Sequence, residues 1–151
     1  AADVLKLEYP KLGGFPEVEV KTFIELVYAK RDLLPVHPTP QKVVIHDSCR
    51  MARELGIVDE LRTVLDAMKV PYVEAFRYGA WTTCCGGPIK TTYAELAHKV
   101  AQKRYVELAK TGAGMALVSC PYCLSALLGA DKQKRFEIKD MVEMIGEAYK
   151  L

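Results

Sequence analysis

Apolar positions along the chain fall into short runs and helical stripes that alternate. Past the proline-rich stretch Pro35 to Gln41, the run KVVIH (42–46) is β-branched and apolar, so it predicts a buried strand. Residues 52–68 (ARELGIVDELRTVLDAM) carry Leu55, Val58, Leu61, Leu65 and Met68 at helical spacing. PYVEAF (71–76) predicts a second strand, and RYGAWTTCCGGP (77–88) reads as a loop. A long amphipathic helix is expected over 91–112, with Leu96, Val100, Tyr105 and Leu108 inward and Gly112 and Gly114 suited to its C-terminal end. MALVS (115–119) predicts a third strand, CPYC (120–123) a turn and LSALLGA (124–130) a short helix. RFEIKDM (135–141) then predicts a fourth strand and VEMIGEAY (142–149) a closing helix.

Strand–helix alternation repeated in this way predicts an α/β fold. The expected form is a Rossmann-like, doubly wound open parallel sheet of about four strands with helices on both faces. A second pattern lies upstream. VEVKTFIELVYA (18–29) resembles FEIKDMVEMIGEA (136–148), with Glu19, Lys21 and Glu25 matching Glu137, Lys139 and Glu143. Apolar positions match too, at Phe23/Met141, Ile24/Val142, Leu26/Met144 and Val27/Ile145. Residues 1–34 are therefore read as the tail of a preceding repeat, and the boundary is drawn as an arm over 1–41 and a domain over 42–151. The expected arm is a detached strand and helix with exposed apolar surface, through which the isolated fragment would dimerise. Because the first residue is Ala1, the chain is expected to be processed or cut from something longer.

Composition adds limits. Half of the 151 residues are hydrophobic, enough for a real core, and the formal net charge is +2. Near-balance gives no support for a nucleic-acid or membrane-surface partner, and no apolar run approaches the ~20 residues of a membrane span. Neither a signal peptide nor an even, disulfide-type cysteine count is present, so a reducing cytoplasm is expected.

The five cysteines change the picture most. Cys49 follows the first predicted strand, Cys84 and Cys85 the second, and Cys120 and Cys123 the third. All five fall past the C-terminal ends of parallel strands, where open α/β sheets bind ligands. A structural zinc and a simple cubane cluster each take four cysteines and leave one over. Cys120 and Cys123 have chelate spacing. Adjacent Cys84 and Cys85 do not easily hold one ion, but they suit two metal ions of one extended cluster. Gly86 and Gly87 would let backbone approach inorganic sulfide and donate N–H bonds to it. CPYC alone is also a glutaredoxin-type motif, though only twenty-eight residues follow Cys123.

Nearby residues carry two readings each. His46 is read as a strand-end histidine that packs or hydrogen-bonds locally, with ligand or proton donor as the other role. His37 and His98 are read as surface. Trp81 and Tyr122 either shield a cluster or pack as core. Arg50, Arg53 and Lys90 either offset thiolate charge or are solvated, and Lys132 to Arg135 is read as a solvated loop.

Cys49, thirty-four residues, Cys84-Cys85, thirty-four residues, then Cys120-Pro-Tyr-Cys123 resembles the cysteine-rich CCG domain. That domain occurs in the B-type and D-type subunits of heterodisulfide reductase and in the iron–sulfur subunits of glycolate, lactate and anaerobic glycerol-3-phosphate oxidoreductases. IHDSC, CCGGP and SCPYC each match a motif, although Ser48 stands where the family usually has proline. The resemblance implies a [4Fe-4S] cluster held by Cys49, Cys84, Cys85, Cys120 and Cys123, non-cubane in heterodisulfide reductase, with zinc in some repeats. It implies electron delivery to a disulfide in heterodisulfide reductase. The implied partners are a preceding CCG repeat and ferredoxin-type or flavoprotein redox subunits. The other function classes are a structural zinc-binding interaction module and a thiol–disulfide oxidoreductase using CPYC.

Overall fold

A computed structural model describes residues 2–14, 17–37, 39, 41–131 and 136–150. Its strands are β1 (Val43–His46), β2 (Tyr72–Glu74), β3 (Met115–Val118) and β4 (Glu137–Asp140). Its α-helices are α1 (Phe23–Ala29), α2 (Cys49–Glu54), α3 (Asp59–Ala67), α4 (Ala94–Ala109), α5 (Pro121–Ala130) and α6 (Met141–Ala148). The strands form one parallel sheet in the order β2-β1-β3-β4. The expected α/β architecture is thus present, and the Lys132 to Arg135 loop lies outside the described residues.

Side-chain alternation explains the two layers. In β1, Val43 and Ile45 face one way and Val44 the other; in β3, Met115 and Leu117 oppose Ala116 and Val118. One face packs on Leu61, Val64 and Leu65 of α3, Ile24 and Val27 of α1, and Met141, Met144 and Ile145 of α6. The other packs on Ala101, Tyr105 and Leu108 of α4 and Ala126, Leu127 and Ala130 of α5. Each fully buried aliphatic side chain contributes about 1.5–3 kcal/mol.

Three elements of the domain over 42–151 differ from expectation. The single helix over 52–68 is two, because Gly56 takes φ +67° and breaks the α2 ladder before α3 begins at Asp59. Leu96 is exposed and Val100 half-buried, since α4 turns Ala97, Ala101, Arg104, Tyr105 and Leu108 inward. Small alanines let α4 approach closely, and they outweigh the larger apolar positions beside them. CPYC is not a separate turn: α5 begins within it, with Cys120 as N-cap and Pro121 in the first turn.

In the arm, residues 17–22 form no strand, and α1 starts at a Thr22 cap. Thr22 and Glu25 make a capping box, as Asp140 and Glu143 do for α6. Lys6 pairs with Glu25, tying the first turns of the chain to that cap.

Candidate metal centre

Three connections leave the C-terminal ends of β1, β2 and β3 on one edge of the sheet, and all five free cysteines lie on them or in the first turn of the helix that follows. Cys49 opens α2, Cys84 and Cys85 lie midway along the long loop between β2 and α4, and Cys120 is the N-cap of α5 one turn before Cys123. A cavity of about 630 Å³ is lined by Cys49, Cys85, Cys120 and Cys123. Cys84 lies beside the Cys49 thiol, and Cys123 lies between the Cys85 and Cys120 thiols, so the five fall into two neighbouring groups at this edge.

The loop carrying the adjacent pair is pinned from several sides. Asp47 accepts the Gly79 N–H at 2.6 Å and a two-pronged contact from Arg62. Arg53 donates to the carbonyls of Ala80 (2.9 Å) and Thr82. Thr82 Oγ1 donates to the Asp47 carbonyl (3.2 Å) and accepts from Arg104 (3.3 Å), while Thr83 donates to Glu107 at 3.0 Å. Arg62, Arg104 and Asp47 are all buried.

Gly86 and Gly87 have specific local reasons. Gly86 takes φ +80°, and a Cβ there would sit 2.5 Å from the Ala97 carbonyl of α4. A Cβ on Gly87 would crowd Tyr122 at 3.0 Å and the Cys85 sulfur at 3.3 Å. The Gly86 N–H donates to Cys84 Sγ at 3.3 Å and the Gly87 N–H to Cys85 Sγ at 3.4 Å. The turn therefore aims backbone dipoles at protein sulfur, and its first glycine is demanded by helix packing.

Thiol acidity divides along the set. Cys123 keeps its proton, its pKa pushed up by hydrogen bonding to Cys120 and then Cys85 and by burial. Cys85 is held well below the ordinary thiol range by the Cys123 S–H, with His46 and the Gly87 N–H adding to it against burial. Cys120 is lowered to about 6 by the Cys123 S–H and by the N–H groups of Cys123 and Tyr122 at the helix start. Cys49 is raised, by burial first and then by the charge of Cys84.

These shifts predict an alkylation order for reduced, metal-free protein. Cys120 is a thiolate above about pH 6, so iodoacetamide labelling of it should halve as pH falls through that value. Cys49, whose shift has the opposite sign, should label only above the ordinary thiol range of about 8.5. Peptide mass spectrometry across pH reads both. Equal midpoints would contradict the order.

The neighbouring residues sort as follows. His46 is 1% exposed; burial lowers its pKa, against the pull of Cys85. His37 and His98 are half-buried. Trp81 (84% exposed) and Tyr122 (64%) are not core residues. Arg50 pairs with Asp3 at 2.6 Å, and Lys90 donates to Ser125 at 3.3 Å. Arg104 is a buried cation near the thiols that the sequence pattern does not single out. A signal for it exists all the same: it continues the Ala97–Ala101 stripe at helical spacing, where a charge is out of place unless partnered.

A family model described as a cysteine-rich domain, CCG, matches residues 43–128, more than half of the chain. The chain belongs to this family of cysteine-rich CCG domains. Among individual relatives, it is 32% identical over 154 residues to the D-type subunit of the dihydromethanophenazine:CoB–CoM heterodisulfide reductase of Methanosarcina mazei, covering 95% of this chain and 37% of that one. The corresponding protein of Methanosarcina acetivorans is 29% identical over 152 residues, with the same 95% and 37% coverage. A probable iron–sulfur-binding oxidoreductase, FadF, of Bacillus subtilis is 29% identical over 156 residues, covering 98% of this chain and 22% of that one. The chain thus spans little more than a third, or less, of these curated relatives.

Proposed function

We propose that this chain is an iron–sulfur electron-transfer domain of a heterodisulfide reductase-like oxidoreductase, with Cys49, Cys84, Cys85, Cys120 and Cys123 as ligands to a [4Fe-4S] cluster. The observation that supports it best is the gathering of five thiols at one sheet edge, four of them lining one cavity. Four-ligand zinc leaves one thiol unused, whereas an extended cluster takes all five. A bound cluster supplies one-electron chemistry there. The protein contributes the rest: Gly86 and Gly87 aim N–H groups at sulfur, and the capped start of α5 favours thiolate at Cys120. Relatives named as oxidoreductase subunits support the redox reading.

The domain carrying this centre is residues 42–151, and residues 1–41 are the tail of a preceding repeat. Matching capping boxes on α1 and α6 support that. So does exposure: Met141 and Met144 are 1% and 2% exposed, while their counterparts Phe23 and Leu26 are 44% and 50% exposed. Of the three positions that α6 buries on its own sheet, α1 exposes two, Phe23 and Leu26, where a preceding CCG repeat would sit, while Val27 packs on the present core as Ile145 does. Ferredoxin-type or flavoprotein subunits are the proposed redox partners and the reducing cytoplasm the proposed location. No helix among the described residues is long and apolar enough to cross a membrane.

The test is purification without oxygen, followed by visible absorption and iron, sulfide and zinc analysis. Brown protein with about four irons and four sulfides per chain is expected. Colourless protein with one zinc per chain would favour the structural module instead.

A further inference from the structure

His46 closes β1 and is held from α4, where Arg104 Nε donates to His46 Nδ1 at 2.9 Å. A guanidinium has donors only and stays protonated in proteins, so Nδ1 must carry its lone pair. A neutral imidazole has one ring proton, which therefore sits on Nε2. Among the described residues, Nε2 is a buried polar atom without a hydrogen-bond partner. One nitrogen of the His46 ring lies with the sulfurs of Cys85 and Cys123 in a group whose ligand atoms are all within 4.8 Å of one another, and with Nδ1 turned to Arg104, Nε2 is the nitrogen left to face them. Arg104 is itself fixed, donating to the Arg77 carbonyl (2.9 Å) and Thr82 Oγ1 (3.3 Å) and pairing with Glu107 at 3.1 Å. Turning it away would leave a buried cation unpaired, at a cost far above that of the present arrangement.

We infer that His46 is not a metal ligand but a positioning residue that aims its Nε2–H at the sulfurs of Cys85 and Cys123, and that Arg104 sets this tautomer. By residue type alone, one histidine beside these thiols would make a reasonable zinc set. A ligating histidine, however, gives one nitrogen to the metal and keeps its proton on the other, facing an acceptor. Here the other nitrogen faces a donor, so ligation through Nε2 would require an imidazolate among thiolates. The available role is N–H···S donation. Such a bond steadies electron density on sulfur and raises the reduction potential of a cluster bound there. That last effect rests on the proposed cluster; the tautomer does not.

Two measurements on the full chain test it. Nitrogen-15 NMR of the imidazoles in reduced, metal-free protein, with the His46 signals assigned by their loss in His46→Gln, should show a neutral Nε2–H ring. An Nδ1–H ring or an imidazolium would overturn the inference. In protein loaded without oxygen, His46→Leu and His46→Gln should both keep wild-type metal content. The midpoint potential should shift downward in His46→Leu and return toward wild type in His46→Gln, whose amide can replace the N–H. Loss of metal from both variants would make His46 a ligand, and an unmoved potential in His46→Leu would remove its role as donor. If the wild-type chain takes up no cluster, the proposed centre fails, and the NMR result still decides the tautomer.

Discussion

Cys85→Ser is expected to strip the centre of most of its iron rather than behave as the loss of a spare thiol. Cys85 is buried, accepts hydrogen bonds from the Gly87 N–H and from Cys123, and is held as a thiolate by them. Serine at that position keeps the shape but not the soft, charged sulfur that iron prefers. If five thiolates hold one cluster, each of the five single Cys→Ser variants should lose iron and sulfide to a similar degree. Low-temperature EPR of any remainder should differ from wild type. Iron and sulfide analysis of the five variants, purified without oxygen, measures this. A pattern of four zinc losses and one silent variant, with the silent one at Cys84 or Cys85, would replace the electron-transfer reading by a structural zinc site.

Asp47→Ala should be the most damaging substitution outside the cysteines. Asp47 is buried, contacts both terminal nitrogens of Arg62 and accepts the Gly79 N–H. Removing it leaves a nearly buried guanidinium with Glu74 and the Val58 carbonyl as its remaining acceptors. Breaking a buried pair from one side costs about 3–5 kcal/mol, much more than an exposed pair is worth. Urea unfolding should show that loss, and Asp47→Asn, which keeps an acceptor for Gly79, should lose less. A change below about 1 kcal/mol would mean that Glu74 alone satisfies Arg62.

The sheet is legible in the sequence because its strands are short apolar runs between turn residues, and their order alone puts the cysteines on one edge. What the sequence does not carry is the packing side of each helix. Leu96 has the spacing of an inward residue and is exposed, because backbone approach through Ala97 and Ala101 decides how α4 sits. The polar scaffold is equally hidden. Asp47 and Arg62 resemble ordinary surface charges along the chain, Arg104 shows only as a charge interrupting an alanine stripe, and only the fold brings Arg104 to His46 across 58 positions. Gly86 suggests room for sulfide, yet its neighbour at closest range is a helix carbonyl.

The two outermost strands of the sheet have a consequence for assembly. β2 is three residues long and its Glu74 is gripped by Arg62; β4 is four residues long and carries Glu137 and Lys139, with Lys139 paired to Glu137 and Glu147. A stranger strand adding to either margin would find few free peptide groups and would have to strip water from these charges. Aggregation by strand addition is therefore disfavoured at both ends. A second chain is thereby steered toward a helix layer or the thiol-bearing edge.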